Sequence, residues 1–139
     1  MTTSRYLVDK SALARWNRPA VGEVLSDLSH RGLLAVTGVV EYEVLYSARS
    51  LDEARRMRRL LSGFDYVHCG DEVWDRVREV QVRAIEKGFH RALSMADALI
   101  AAAAERHDLV VLHYDGDYDM IASITGQPTQ WVVPAGQAD

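Results

Sequence analysis

Arg5-Tyr6-Leu7-Val8-Asp9-Lys10-Ser11-Ala12-Leu13 decides the fold, because a short apolar run halts there at a carboxylate and a helix-compatible segment follows. Tyr6, Leu7 and Val8 suit a strand covered on both faces, as in a parallel sheet. Such sheets bind ligands beyond the carboxyl ends of their strands, which puts Asp9 at a binding edge. Asp is also a favoured helix N-cap, and read alone Asp9 is accounted for by capping the segment after it. The decision rests on whether other carboxylates reach the same edge.

Working outward, a second apolar run, Leu109-Val110-Val111-Leu112, is the most strand-like in the chain and also stops at acids, in His113-Tyr114-Asp115-Gly116-Asp117. Leu33 to Val36 reads as another short strand, Phe64 to His68 as a third and Gln130 to Val133 as the last. Helical spacing fills the gaps. Ala20 to His30 carries Val21, Val24, Leu25 and Leu28 on one stripe and ends at Arg31-Gly32. Gly38 to Arg49 follows a capping Thr37 and puts Glu43 on a largely apolar flank. Leu51 to Leu61 has an apolar stripe of Leu51, Ala54, Met57, Leu60 and Leu61, and Asp71 to Lys87 one that includes Val73, Trp74, Val77 and Val80, with Trp74 expected in the core. Ser94-Met95-Ala96-Asp97 fits a capping box opening an alanine-rich helix that small side chains allow to pack closely. A helix over Tyr118 to Ile124 completes an alternating order of strands and helices, the pattern of an α/β fold with a parallel sheet flanked by helices. Residues 1–133 are expected to form a single domain, with residues 134–139 a loose tail.

The length of 139 residues fits one domain with a substantial core, and 48% hydrophobic content with mixed charge fits a folded, soluble protein. Neither a bilayer-spanning run nor a signal-peptide apolar region is present in the sequence, so a cytoplasmic location and no membrane partner are expected. The single cysteine, Cys69, can form no internal disulfide and no cysteine-based zinc site. A net charge of -4 argues against coating nucleic acid through the overall field but leaves room for a local basic track, the densest being Arg49, Arg55, Arg56, Arg58 and Arg59.

Two strands ending in Asp9 and Asp115 can set both acids at one edge of a parallel sheet. Asp97 opens the helix before the second of these strands, and Glu43 projects from the helix after the Leu33 to Val36 strand. Four crowded acids repel one another unless a cation intervenes. Carboxylates and water are the ligands preferred by Mg²⁺ and Mn²⁺. Such a centre can orient a phosphodiester, activate a water and stabilise the departing oxygen. Metal-assisted phosphodiester hydrolysis is therefore the chemistry these residues point to.

The sequence resembles PIN-domain ribonucleases, specifically the VapC toxins of bacterial toxin–antitoxin pairs, over nearly its whole length. The resemblance is carried by Tyr6-Leu7-Val8-Asp9-Lys10-Ser11-Ala12-Leu13, Glu43-Val44-Leu45-Tyr46-Ser47-Ala48-Arg49, Asp97-Ala98-Leu99-Ile100-Ala101-Ala102-Ala103-Ala104 and Leu112-His113-Tyr114-Asp115-Gly116-Asp117-Tyr118. It implies a PIN-like three-layer α/β fold and an endoribonuclease dependent on Mg²⁺ or Mn²⁺, acting on RNA such as tRNA or rRNA. It further implies a homodimer silenced by a VapB antitoxin. By position, Asp9, Glu43, Asp97 and Asp115 are the implied catalytic, metal-binding acids and Asp117 an auxiliary ligand. Asp9, Asp97 and Asp115 are expected to hold one ion, with Glu43 helping to hold it or a second.

The chain departs from the family pattern at His113, where a small hydroxyl residue is usual, and at Lys10, often Thr. His113 is expected to hydrogen-bond behind the acids. Glu41 falls on another helical face than Glu43, and His30, His68, His90 and His107 show no ligand spacing. A haloacid dehalogenase-type hydrolase needs an acid at position 11, which is Ser, and a dinucleotide site needs a glycine-rich turn after the first strand. A phosphoacceptor receiver would carry its acidic pair ahead of the phosphoacceptor strand. The alternative of another class is a PIN-like module without turnover that binds RNA or protein.

Overall fold

The computed structural model describes residues 3–139. In chain order the elements are β1 (Tyr6–Val8), α1 (Lys10–Leu13), α2 (Pro19–His30), β2 (Leu34–Val36), α3 (Gly38–Tyr46), α4 (Leu51–Ser62), β3 (Asp65–Tyr66), α5 (Asp71–Lys87), α6 (Met95–Arg106), β4 (Val110–His113), α7 (Asp117–Thr125) and β5 (Thr129–Trp131). The strands form one sheet in the order β3-β2-β1-β4-β5, and every pairing is parallel. Helices flank this sheet in the three-layer arrangement expected from the alternating pattern, and Leu7, Val8, Ala35, Val111 and Leu112 are shut off from solvent.

This strand order creates the site. From β1 the chain winds outward through β2 to β3, then returns to lay β4 on the other side of β1. The two directions of winding diverge between β1 and β4, a topological switch point where a crevice opens at the carboxyl ends of the strands. Val8 is in register with Leu112, and the Asp9 amide donates to the Leu112 carbonyl at 2.9 Å. The turn after Val8 and the loop after β4 are therefore brought together.

Helix α6 lies over this junction. Its residues Asp97 to Ala104 are all buried, which the alanine run permits because no long side chain holds the helix off its neighbours. Helix α5 packs beside it, with Val73 and Val77 in the main core and Val80 and Ala84 in a smaller cluster with Ile124 of α7, and ends where Gly88 takes the left-handed conformation at φ 81° that favours glycine. Gln127 fixes the other flank, donating from Nε2 to the Ala101 carbonyl at 2.8 Å.

Four expectations are corrected. Trp74 is not a core residue: it is 44% exposed on α5, one position round from the buried stripe. The α4 stripe is not packed along its length, because only Leu61 is buried while Leu51 is 65% and Leu60 45% exposed. Helix α3 stops at Tyr46 rather than Arg49, since Ser50 caps α4 by accepting from the Glu53 amide and so ends the turn before it. Residues 134–139 are not loose: the Gly136 and Ala138 amides donate to the Tyr114 hydroxyl at 2.7 and 2.9 Å, and Ala138 is buried. Among the described residues no helix is long and apolar enough to cross a membrane.

Candidate metal centre

Asp9 is fixed from three sides. It is the N-cap of α1, and its Oδ2 accepts from the Ser11 amide at 2.9 Å and the Ser11 hydroxyl at 2.6 Å. Its Oδ1 accepts from the Tyr118 hydroxyl at 2.8 Å. The cap and the site are thus the same carboxylate. Ser11 extends this lock across the crevice, because its Oγ also accepts from the Tyr114 amide at 2.9 Å. The turn after β1 and the loop after β4 are tied by one hydroxyl.

Asp115 is set by its own backbone. Its Oδ1 accepts from the Asp117 amide at 2.9 Å, an Asx turn that starts α7, and its amide donates to His113 Nδ1 at 3.1 Å. That bond puts the proton of the neutral ring on Nε2. His113 is fully buried, with its ring 4.9 Å from that of Tyr118 and 5.1 Å from that of Trp131, and burial lowers its pKa. The imidazole therefore acts as an uncharged support behind the Asp115 loop. Its Nε2 has no hydrogen-bond partner among the described residues.

Asp97 occupies the third helical position of α6, where its amide donates to Ser94 Oγ at 3.0 Å. The backbone uses the cap, while the carboxylate meets the Tyr118 hydroxyl, 3.3 Å from Oδ1. Carboxylate oxygens of Asp97, Asp115 and Asp117 lie within 4.8 Å of one another. Asp9 stands outside that closest trio and is joined to Asp97 through Tyr118. Glu43 faces the same cavity from α3, a space of about 450 Å³ whose wall includes Asp9, Glu43, Asp97 and Asp115 with Lys10 and Arg15. Glu41, His30, His68, His90 and His107 do not line it.

The electrostatics follow from burial first and from crowding of like charges second. Burial, then repulsion by Asp9 and Asp115, pushes the Asp97 carboxyl up to about 7. Burial followed by Asp9 raises Glu43, which Lys10 partly offsets, and burial followed by Asp115 raises Asp117. Tyr118, buried among these acids, is held well above its ordinary range and stays a neutral donor. A divalent cation suits this set, because three carboxylates can converge on one ion and would exchange their mutual repulsion for its charge.

Tyr118 is the residue that sequence reasoning missed. Nothing local marks it, because its hydroxyl meets Asp9 and Asp97 only across 109 and 21 residues of chain, and its burial belongs to the fold.

Residues 6–124 match the family description PIN domain. The chain is 46% identical over 139 residues to a protein named ribonuclease VapC21 from Mycobacterium tuberculosis, covering 98% of this chain and 99% of that one. It is 44% identical over 135 residues to ribonuclease VapC51 of the same organism, covering 97% and 98%. Among solved structures, the toxin–antitoxin complex VapBC from Salmonella typhimurium bound to DNA contains a chain of similar fold, with a TM-score of 0.77 at 14% identity over 94% of this chain and 100% of that chain.

Proposed function

The chain belongs to the PIN-domain family, within which it groups with the VapC ribonucleases, and on that premise we propose that it is the toxin of a toxin–antitoxin pair, an endoribonuclease that hydrolyses RNA phosphodiester bonds with Mg²⁺ or Mn²⁺. The observation that carries the metal-dependent reading is the meeting of Asp97, Asp115 and Asp117 at the β1/β4 switch point, with Asp9 and Glu43 at the same cavity. We take tRNA or rRNA as the target class, a VapB-type antitoxin as partner and a homodimer as the working form, all from the family resemblance.

In this reading Asp9, Asp97 and Asp115 would hold the ion with Asp117 as an auxiliary ligand, and Glu43 would help to hold it or a second from α3. A bound divalent cation would lower the pKa of a water and neutralise charge building on the phosphate. The protein's own part is orientation. Ser11 and Tyr118 fix the two oxygens of Asp9, and the Asx turn and His113 fix the Asp115 loop, so that the carboxylates are set before substrate arrives.

The test is cleavage of total small RNA by the purified chain with Mg²⁺, with chelator, and with a folded Asp97→Asn variant. Products that need the metal and vanish in the variant are expected. Equal cleavage by folded Asp97→Asn would refute the reading. Metal and RNA binding by a chain that cleaves none of these RNAs would favour the turnover-free module instead.

A further inference from the structure

A cavity walled by carboxylates repels the polyanion it must admit, and one bound ion offsets only part of that charge. Two cations share the wall, Lys10 and Arg15. Lys10 is exposed and acts on Glu43, whose pKa it lowers. Arg15 is half-buried and held on three sides: Nη1 donates to the Ser11 carbonyl at 2.8 Å, Nε to the Ala138 carbonyl at 2.9 Å, and Cζ lies 4.5 Å from the centre of the Tyr114 ring.

These contacts orient the guanidinium without neutralising it. Both hydrogen-bond acceptors are uncharged carbonyls, and among the described residues Arg15 makes no ion pair with a carboxylate. Its Nη2 makes no hydrogen bond among those residues. The last residues exist in this position because Tyr114 gathers them: its hydroxyl accepts from the Gly136 and Ala138 amides and donates to Asp139 Oδ1 at 2.7 Å. Ser11 and Tyr114, which lock the acidic centre, are thus the same residues that seat Arg15.

We propose that Arg15 is a substrate-binding residue of this centre, receiving a non-bridging oxygen of an RNA phosphodiester on the guanidinium that Ser11, Tyr114 and Ala138 hold in the cavity wall. The inference rests on the ribonuclease reading above. Arg suits the task because it is always charged, its Nε and Nη1 are used to hold the plane while Nη2 is left to donate, and its entropy of ordering is already spent. The segment from Pro134 onward then serves the site by positioning Arg15 rather than by touching RNA.

The test is binding of fluorescently labelled bulk tRNA by the full chain with Ca²⁺ present, at several salt concentrations, alongside Arg15→Gln, Arg15→Lys and Tyr114→Phe. Folded Arg15→Gln should bind about tenfold more weakly and lose roughly 0.7 to 0.9 from the slope of log affinity against log salt, the share of one phosphate contact. Arg15→Lys should keep the slope and recover part of the affinity, since the charge remains but the held guanidinium plane is lost. Tyr114→Phe, which keeps the ring and frees the last residues, should weaken binding less than Arg15→Gln does. A folded Arg15→Gln with unchanged affinity and slope would overturn the proposal and leave Arg15 a staple for the C-terminal residues, whatever its melting temperature. If that variant does not fold, Arg15→Lys decides, and undiminished affinity there overturns the proposal. Failure of the unsubstituted chain to bind labelled tRNA, and labelled rRNA offered in its place, would overturn the ribonuclease reading and this inference with it.

Discussion

Helices α4 and α6 are each twelve residues long and meet opposite fates. In α6 every residue from Asp97 to Ala104 is buried, and in α4 only Leu61 is. The difference lies in composition as well as size: α6 carries nine apolar residues, six of them alanines, where α4 carries five apolar residues and four arginines. Small side chains let α6 be enclosed by the sheet, α5 and α7, so the helix that presents Asp97 cannot shift without disturbing the core. The long apolar side chains of α4 stand at the edge instead. With Leu13, Trp16 and Val44, the Met57, Leu60 and Leu61 side chains line an open groove of about 370 Å³ beside the acidic cavity, and Tyr42 and Tyr46 are exposed nearby on α3. One helix is built for precision and the other is left with a face uncovered.

The largest effect expected from this contrast is on pH. Asp97 titrates near 3.8 unfolded and about 7 folded, so the ion-free native state keeps a proton that the unfolded chain has lost. Stability is then highest below pH 4 with respect to this group and falls as pH rises towards 7, by at most about 4 kcal/mol. The raised carboxyls of Glu43 and Asp117 act with the same sign. Denaturant melts of the chelated protein between pH 4 and 8 should show this decline, and Asp97→Asn should remove most of it. A flat profile in the unsubstituted chain would break the account of α6 as the helix that buries Asp97 among other acids.

Next comes packing. Ala103→Leu in α6, which adds three carbons at a residue shut off from solvent, should destabilise the fold by about 1–3 kcal/mol, read as a lower denaturation midpoint. A weaker effect, confined to the site, is expected of Tyr118→Phe, which keeps the ring against His113 and removes the hydroxyl between Asp9 and Asp97. Metal affinity measured by Mn²⁺ titration should drop at least about tenfold, as for other outer partners of ligating groups. The smallest effect belongs to α4: Leu60→Ser should alter the stability of the isolated chain by no more than about 0.5 kcal/mol. The same change should weaken capture of a VapB-type antitoxin in a pull-down if that groove is its seat, and a large loss of stability would instead show that α4 is core after all.

The contrast also explains what could be read from sequence. Strands that stop at Asp9 and Asp115 were legible because apolar runs end sharply, and parallel pairing then forces their ends together. Asp97 was legible from its place at a helix start. Periodicity reveals that a helix has an apolar face but not what covers it, so Trp74, expected in the core, lies outside it, and the core reaches only Leu61 of the α4 stripe. Residues 134–139 offered no pattern, because their order comes from one hydroxyl, that of Tyr114, far away in sequence. Tyr118 likewise acts across 109 residues to reach Asp9, a separation invisible to any local rule.

The central claim is that the acids at the β1/β4 edge form one cation site in which Asp97 takes part. Calorimetric titration of Mn²⁺ into the chelator-treated chain near pH 7, in buffers of differing ionisation enthalpy, tests it most directly. The account predicts saturable binding accompanied by proton release, with the affinity reduced at least about tenfold and the proton release lost in Asp97→Asn. Absence of binding, or equal binding and proton release by a folded Asp97→Asn, would contradict it.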